Sequence, residues 1–333
     1  VPLHSTESPT GEATSFRVAM EREATALPRS GTRSLRLRVA GRTVDVRCTG
    51  DGLARALLPA LVGTTPCPGP RRSAAPAGRA TIRVWEAPLD HVPIPWRLDA
   101  LGPGGLVREP PDCGPVRAVH DTAQGAVTLA SDGDGATVLH RVADHRALPW
   151  WERAAPLKAA LQWALTGSGG HLVHAAAVAD DRGAVLIVGP RGTGKTTAVM
   201  AARKSGLGLI ADDYLVLETT GPIVAHALYR TICVRNAADL DAAKTVLDAG
   251  PPRWTAPTVR AIVLPVAGSR SLSPVSPARM LRAWAPTTAL GLPSGEGSVL
   301  PALARAVRAL PCVALDPASD AAGALGALLE DAR

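Results

Sequence analysis

Residues 184–205 constrain this chain more than any other stretch. The apolar run AVLIV leads into GPRGTGKT, and a helical pattern follows until Gly206. Gly189-Pro190-Arg191-Gly192-Thr193-Gly194-Lys195-Thr196 satisfies G-x-x-x-x-G-K-[ST] at every required position, in the strand–loop–helix setting the pattern needs. Glycines let successive N–H groups turn inward on phosphate oxygens, and the helix N-terminus adds partial positive charge. The spacing predicts that Lys195 reaches the outer phosphates and that the Thr196 hydroxyl ligates Mg²⁺. Arg191 and Thr197 flank the required positions. A chain built on this unit is expected to be α/β, with helices layered on a sheet.

The remainder of the chain fits that expectation from about residue 170 onward, where short apolar strands alternate with helical stretches. HLVHAAAV and AVLIVG are separated by a tight-turn sequence. LGLIA, YLVLE, 259–266 and CVAL read as further strands. Helices are expected over 196–205, at PARMLRAWA, at SVLPALARAVRAL and from about Asp320. LPWWERAAPLKAALQWAL predicts a helix that starts at Pro156 and ends at Gly167. Upstream, Leu35, Leu37 and Val39, then Val44 and Val46, alternate with polar residues around Gly41, a hairpin pattern. A short helix is expected within 52–62, a loop over 65–79, and strands at 80–87 and 125–131. Residues 1–32 are polar and aperiodic and read as a mobile tail. The expected organisation is therefore a tail (1–32), a strand-rich α+β lobe (33–150) and a loop-bearing α/β domain (151–333).

Composition excludes some classes. The net charge is +7, but only four of the 36 basic residues are Lys, and the 32 Arg are scattered. That pattern reflects composition rather than a nucleic-acid surface. The five cysteines are far apart and form no C-x-x-C pair, so neither a disulfide framework nor a zinc site is expected. No apolar run is long enough to span a bilayer and no stretch resembles a secretion signal. A cytoplasmic protein without membrane or nucleic-acid partners is the expectation.

Asp212 and Asp213 close the strand that follows the loop's helix, with sixteen residues between Lys195 and Asp212. In a doubly wound sheet such a strand end lies at the ligand-binding edge. One carboxylate there can hold Mg²⁺, and a second can accept the proton of an attacking hydroxyl. Adjacent residues on an extended strand face opposite ways, so the two need not share a role. His174, on the strand before the loop strand, is either a core histidine or a partner that tunes one of these acids.

Taken together, HAAAVADDRGAVLIVGPRGTGKTTAVMAARKSGLGLIADD resembles the catalytic core of the HPr kinase/phosphorylase family, over roughly residues 170–218. LPWWERAAPLKAALQWAL, HALYRT and LPCVALDP resemble the shorter HPr-kinase-like proteins encoded beside peptide-modification genes. The resemblance implies a P-loop core of the phosphoenolpyruvate carboxykinase type. It implies that 189–196 bind ATP and Mg²⁺, that Asp212 is the acid/base aspartate supported by His174, and that Asp213 is its companion near the metal. It also admits a homo-oligomer, for which the residues give no interface signal. The family's downstream signature of glycine and arginine has no counterpart here, so phosphorolysis and HPr itself are not implied.

These readings converge on an ATP- and Mg²⁺-dependent kinase acting on a hydroxyl, serine above all, of a peptide or protein. Two alternatives stay open: a small-molecule kinase, and a nucleotide-binding regulatory module with weak ATPase activity.

Overall fold

The structure is a computed structural model, and it describes residues 9–63, 78–89, 117–130, 135–235, 244–269, 272–289, 292 and 299–330. The loop expected over 65–79 lies almost wholly outside these residues, as do Cys67 and Cys113. Cys48, Cys233 and Cys312 are buried free thiols.

The first layer is a six-stranded sheet in the order β1-β2-β3-β6-β5-β4. Its strands are β1 (Thr32–Val39), β2 (Arg42–Thr49), β3 (Arg79–Glu86), β4 (Arg117–Asp121), β5 (Ala126–Ala130) and β6 (Thr137–Val142). The β1–β2 hairpin turns at Ala40 and Gly41, both at positive φ (47° and 73°), as a tight primed turn demands. Alternation sends Leu37, Val44, Val46, Ile82 and Val84 to one face, where α2 (Asp51–Leu57) and α4 (Lys158–Ala164) cover them. The opposite face is covered over β3–β6–β5–β4 by α1 (Pro9–Ala26), through Phe16, Met20 and Ala24.

Two expectations change here. Residues expected in the mobile tail form α1, because an i, i+4, i+8 stripe of apolar side chains finds a sheet face to cover. The helix expected from Pro156 to Gly167 is the shorter α4, and a helix that was not expected, α3 (Trp150–Ala154), precedes it. Leu157 between them adopts φ 61°, which breaks the hydrogen-bond ladder. Moreover α4 packs its Ala160, Leu161 and Trp163 into the core of the first sheet.

The second layer is a mixed sheet in the order β10-β8-β9-β15-β17-β16. It comprises β8 (Ala176–Asp180), β9 (Gly183–Ile187), β10 (Gly208–Ala211), β15 (Val259–Pro265), β16 (Ser273–Pro274) and β17 (Cys312–Leu315). β9, β15 and β17 run parallel, while β8 pairs antiparallel with both β9 and β10. α5 (Lys195–Lys204) and α8 (Ala321–Glu330) cover one face. α6 (Pro277–Ala289) and α7 (Leu300–Ala309) cover the other. A small sheet of β12 (Val224–His226), β11 (Tyr214–Glu218) and β7 (Gly170–His174) joins the layers. The hairpin of β13 (Thr231–Val234) and β14 (Thr245–Asp248) lies beside α3. The molecule is thus mixed α/β. Among the described residues no helix is long and apolar enough to cross a membrane.

Candidate functional site

The site forms where two chain segments change sheets at the same level. β7 ends at His174 and, after Ala175, β8 begins in the second sheet. β10 ends at Ala211 and, after Asp212 and Asp213, β11 begins in the small sheet. The two bent segments stay paired on both sides of the bend, Ala211 with Ala177 and Tyr214 with His174. β10 runs in the direction of β9, with β8 between them, so the bend falls at the edge where β9 delivers residues 188–194. Strand ends that converge on one edge make the usual ligand crevice of α/β sheets.

Residues 188–194 turn tightly. Gly192 and Gly194 have φ 86° and 97°, backbone that a side chain strains. A Cβ on Gly194 would also stand 2.8 Å from Pro317 carbons. Gly194 caps α5 without a side-chain hydrogen bond, which leaves the first N–H groups of the helix free for an anion. Lys195 folds back onto the loop, and its Nζ donates to the carbonyls of Gly189 (2.9 Å) and Pro190 (3.1 Å). Burial pushes its ammonium pKa down, offset in part by Asp213 and Asp212. Thr193 donates to Pro190 O (3.0 Å). Pro190, Arg191 and Thr197 are exposed. Arg191 is near enough to Lys195 and Tyr214 to bias their titration.

The two aspartates part company. Asp212 is 4% exposed. Its Oδ2 accepts from the backbone N–H of Cys233 (2.8 Å), and the Thr196 hydroxyl acts on the same carboxyl. Its Oδ1 is buried without a hydrogen-bond partner. Burial raises its pKa, the Cys233 N–H opposes that, and the neighbouring Asp213 charge adds to it. Asp213 has a side chain 42% exposed, with Oδ1 2.7 Å from His174 Nε2. Desolvation by the surrounding walls pushes its pKa up. The His174 hydrogen bond and charge, helped by Lys195 and Lys244, more than reverse this, and the acid ends below 3.8.

His174 was expected to support Asp212, and Asp213 to stand near the metal. The structure pairs His174 with Asp213 instead, and the carboxyl of Asp212 faces Thr196. The cause is register. Asp213 leads into Tyr214, which pairs with His174 across β11 and β7, whereas Asp212 directly follows β10, the strand that packs beside α5.

The backbone of His174 is clamped by α6. Its N–H donates to Thr288 Oγ1 (3.1 Å) and its carbonyl accepts from Trp284 Nε1 (3.0 Å). Both α6 residues are buried. The His174 ring lies 5.2 Å from that of Tyr214. Lys244, which enters β14, sits over the Trp150 ring at 5.6 Å and contributes its charge to both aspartates. Sequence reasoning missed Thr288, Trp284 and Lys244. The one available signal was a Trp and a Thr four residues apart in an apolar-faced helix.

No family model matches the sequence, and no curated protein matches it. Among solved structures, the HPr(Ser) kinase/phosphatase from Coxiella burnetii is similar over 48% of this chain and 95% of that one, at 13% identity and a TM-score of 0.31. A likeness this loose is a distant structural relation only.

Proposed function

We propose that the chain is an ATP- and Mg²⁺-dependent kinase that transfers the γ-phosphoryl group to a hydroxyl, most suitably serine, of a peptide or protein. The observation that carries this reading is the division of labour between the adjacent acids. One carboxylate is buried beside Thr196 at the start of α5, and the other is open to solvent and held by His174.

The donors suit a small hard cation. A threonine hydroxyl and a buried carboxylate oxygen that has no partner of its own are ligands of the kind Mg²⁺ takes. Thr196 and Asp212 are therefore assigned to the metal, in place of Asp213. Bound there, the ion would neutralise charge on the phosphate oxygens. Residues 191–194 supply backbone N–H groups to the phosphates. Lys195 exchanges its two loop carbonyls for phosphate oxygens.

Asp213 is assigned as the base. His174 Nε2–H donates to one of its oxygens and fixes the carboxyl plane, and the exposed side of the group remains available to an incoming hydroxyl. Its low pKa keeps it ionised at neutral pH. It accepts the hydroxyl proton as the O–P bond forms and later releases it to solvent, while ADP leaves.

Single substitutions separate the roles. Asp213→Asn is expected to lower transfer by roughly 10²-fold or more with nucleotide affinity unchanged. Asp212→Asn is expected to weaken Mg²⁺-dependent nucleotide binding. Label transfer from γ-labelled ATP to a serine-containing peptide pool and to a metabolite pool reads the first, and titration of nucleotide against Mg²⁺ reads the second. Full transfer by Asp213→Asn would remove it as the base, and label entering only metabolites would move the acceptor to small molecules.

A further inference from the structure

The part of the first sheet's outer face that α1 leaves uncovered is made largely of arginine. Antiparallel pairing places Arg38 beside Thr43, Arg36 beside Asp45 and Ser34 beside Arg47. Parallel pairing then places Arg79 beside Thr43 and Arg83 beside Arg47. These positions alternate with the buried Leu37, Val44, Val46, Ile82 and Val84, so they share one face. That face carries five arginines and one carboxylate, Asp45, which pairs with Arg36 and Arg79. Among the described residues no carboxylate pairs with Arg38, Arg47 or Arg83.

Charged side chains on edge strands discourage unwanted strand pairing, which explains Arg36 and Arg38 on β1. It does not explain Arg47 and Arg83, which lie on inner strands of the sheet. Two like charges directly side by side weaken a sheet and call for an anion between them. Guanidinium forks match carboxylates bidentately.

The face opens into a cavity of about 690 Å³, also lined by Leu27, Pro28 and Arg29, which follow α1. A second cavity of about 430 Å³ shares Ser34 and Arg36 and continues along β1 to Leu61, Arg230 and Pro251. Arg230 leads directly into β13, whose Cys233 N–H holds Asp212. The two cavities thus make one groove, from the arginine face past an edge strand to the flank of the candidate site. No strand lies beyond β1 among the described residues, so an extended chain whose acidic side chains offset the guarding arginines can lie against that edge. Among the described residues no aromatic ring lines either cavity, whereas sequence-tolerant binding of single-stranded nucleic acid relies on stacking platforms.

We propose that this groove docks an extended acidic segment of the polypeptide whose hydroxyl is phosphorylated, outside the reacting residue. The purpose rests on the kinase reading, but the binding does not. The test is fluorescence anisotropy on the full chain without nucleotide, using a labelled peptide of alternating Glu and Thr. The same peptide with Lys for Glu and a single-stranded oligonucleotide of equal length serve as probes of the other readings.

Selective binding of the Glu peptide is expected, with affinity reduced roughly tenfold or more by Arg47→Glu with Arg83→Glu and nucleotide binding unchanged. Arg47→Gln with Arg83→Gln, which adds no repulsion, is expected to keep the parent melting temperature and lose affinity by a smaller factor. A folded Gln variant that binds as the parent does would overturn the proposal. So would equal binding of the Glu and Lys peptides. Tighter binding of the oligonucleotide, lost in the same variants, would reassign the groove to nucleic acid. If the groove variants lose the peptide while no acceptor is ever phosphorylated, docking stands and the kinase reading falls. Phosphorylated peptide acceptors with an indifferent groove would give the reverse.

Discussion

For single residues, what matters is which neighbour each carboxylate oxygen meets. In the proposed reaction Asp213 would serve as a base only while His174 holds it, and the backbone of His174 is bound by Thr288 and Trp284. Thr288→Val keeps the shape and removes the acceptor, leaving the buried His174 N–H unpaired. That should cost about 1–3 kcal/mol of stability, read by chemical denaturation. It should also lower the turnover number of phosphoryl transfer with nucleotide affinity unchanged, and Thr288→Ser should restore both. A Val variant with parental stability and turnover would show that the clamp positions nothing. The Gly189–Thr196 loop was legible in the sequence because its chemistry is local, eight consecutive residues between a strand and a helix. The two aspartates were legible as a pair but not by role, since adjacency says that they diverge and not which way each faces. Only the pairing of β11 with β7 decides that. The α6 clamp joins residues 110 and 114 positions apart, and no local pattern announces such a contact.

Whole elements repeat this contrast between local and distant signals. The β1–β2 hairpin was readable from period-two alternation around Gly41, and β9, β11, β15 and β17 from short apolar runs. Helix α1 was not, because its buried stripe is only Phe16, Met20 and Ala24 in an otherwise polar segment. Most helical stability comes from such tertiary contact rather than propensity. The changes of sheet after β7 and β10 were equally hidden, since a strand that bends keeps its apolar pattern. On β2, Asp45 gives a prediction with a definite sign. Desolvation raises its pKa, but hydrogen bonds and charge from Arg36 and Arg79 outweigh that and leave it below 3.8. As pH falls, the unfolded chain therefore takes up the proton first. The stability contributed by this carboxylate is complete well above pH 3.8 and drains away as pH drops through that value toward the lower folded one. Asp45→Asn lacks this linkage, so its melting temperature should fall less between pH 7 and pH 3 than that of the parent. An identical fall in both proteins would mean that the pairs with Arg36 and Arg79 do not persist in solution.

Across the whole molecule, the open question is whether the layers built on residues 33–150 and 151–333 are separate bodies. The core gives a physical answer. One buried cluster contains Leu37, Val46, Ile82 and Val138 of the first sheet, Leu161 and Trp163 of α4, Leu172 and Val216 of the small sheet, and Leu228 and Tyr229 beyond it. Polar contacts cross the same seam. Arg42 donates to Thr166 O, the Val62 N–H donates to Leu228 O (2.9 Å), and Leu61 bridges to Tyr229. Separating the layers would expose large aliphatic and Trp surface and strand buried backbone carbonyls. The chain should therefore unfold in a single calorimetric transition whose calorimetric and van't Hoff enthalpies agree. Saturating ATP with Mg²⁺ should move that whole transition upward, by about 2.7 kcal/mol at a hundredfold excess over the dissociation constant. Two resolved transitions, with nucleotide shifting only one of them, would mean that the shared cluster does not couple the layers and that the expected boundary near residue 150 separates independent folding units.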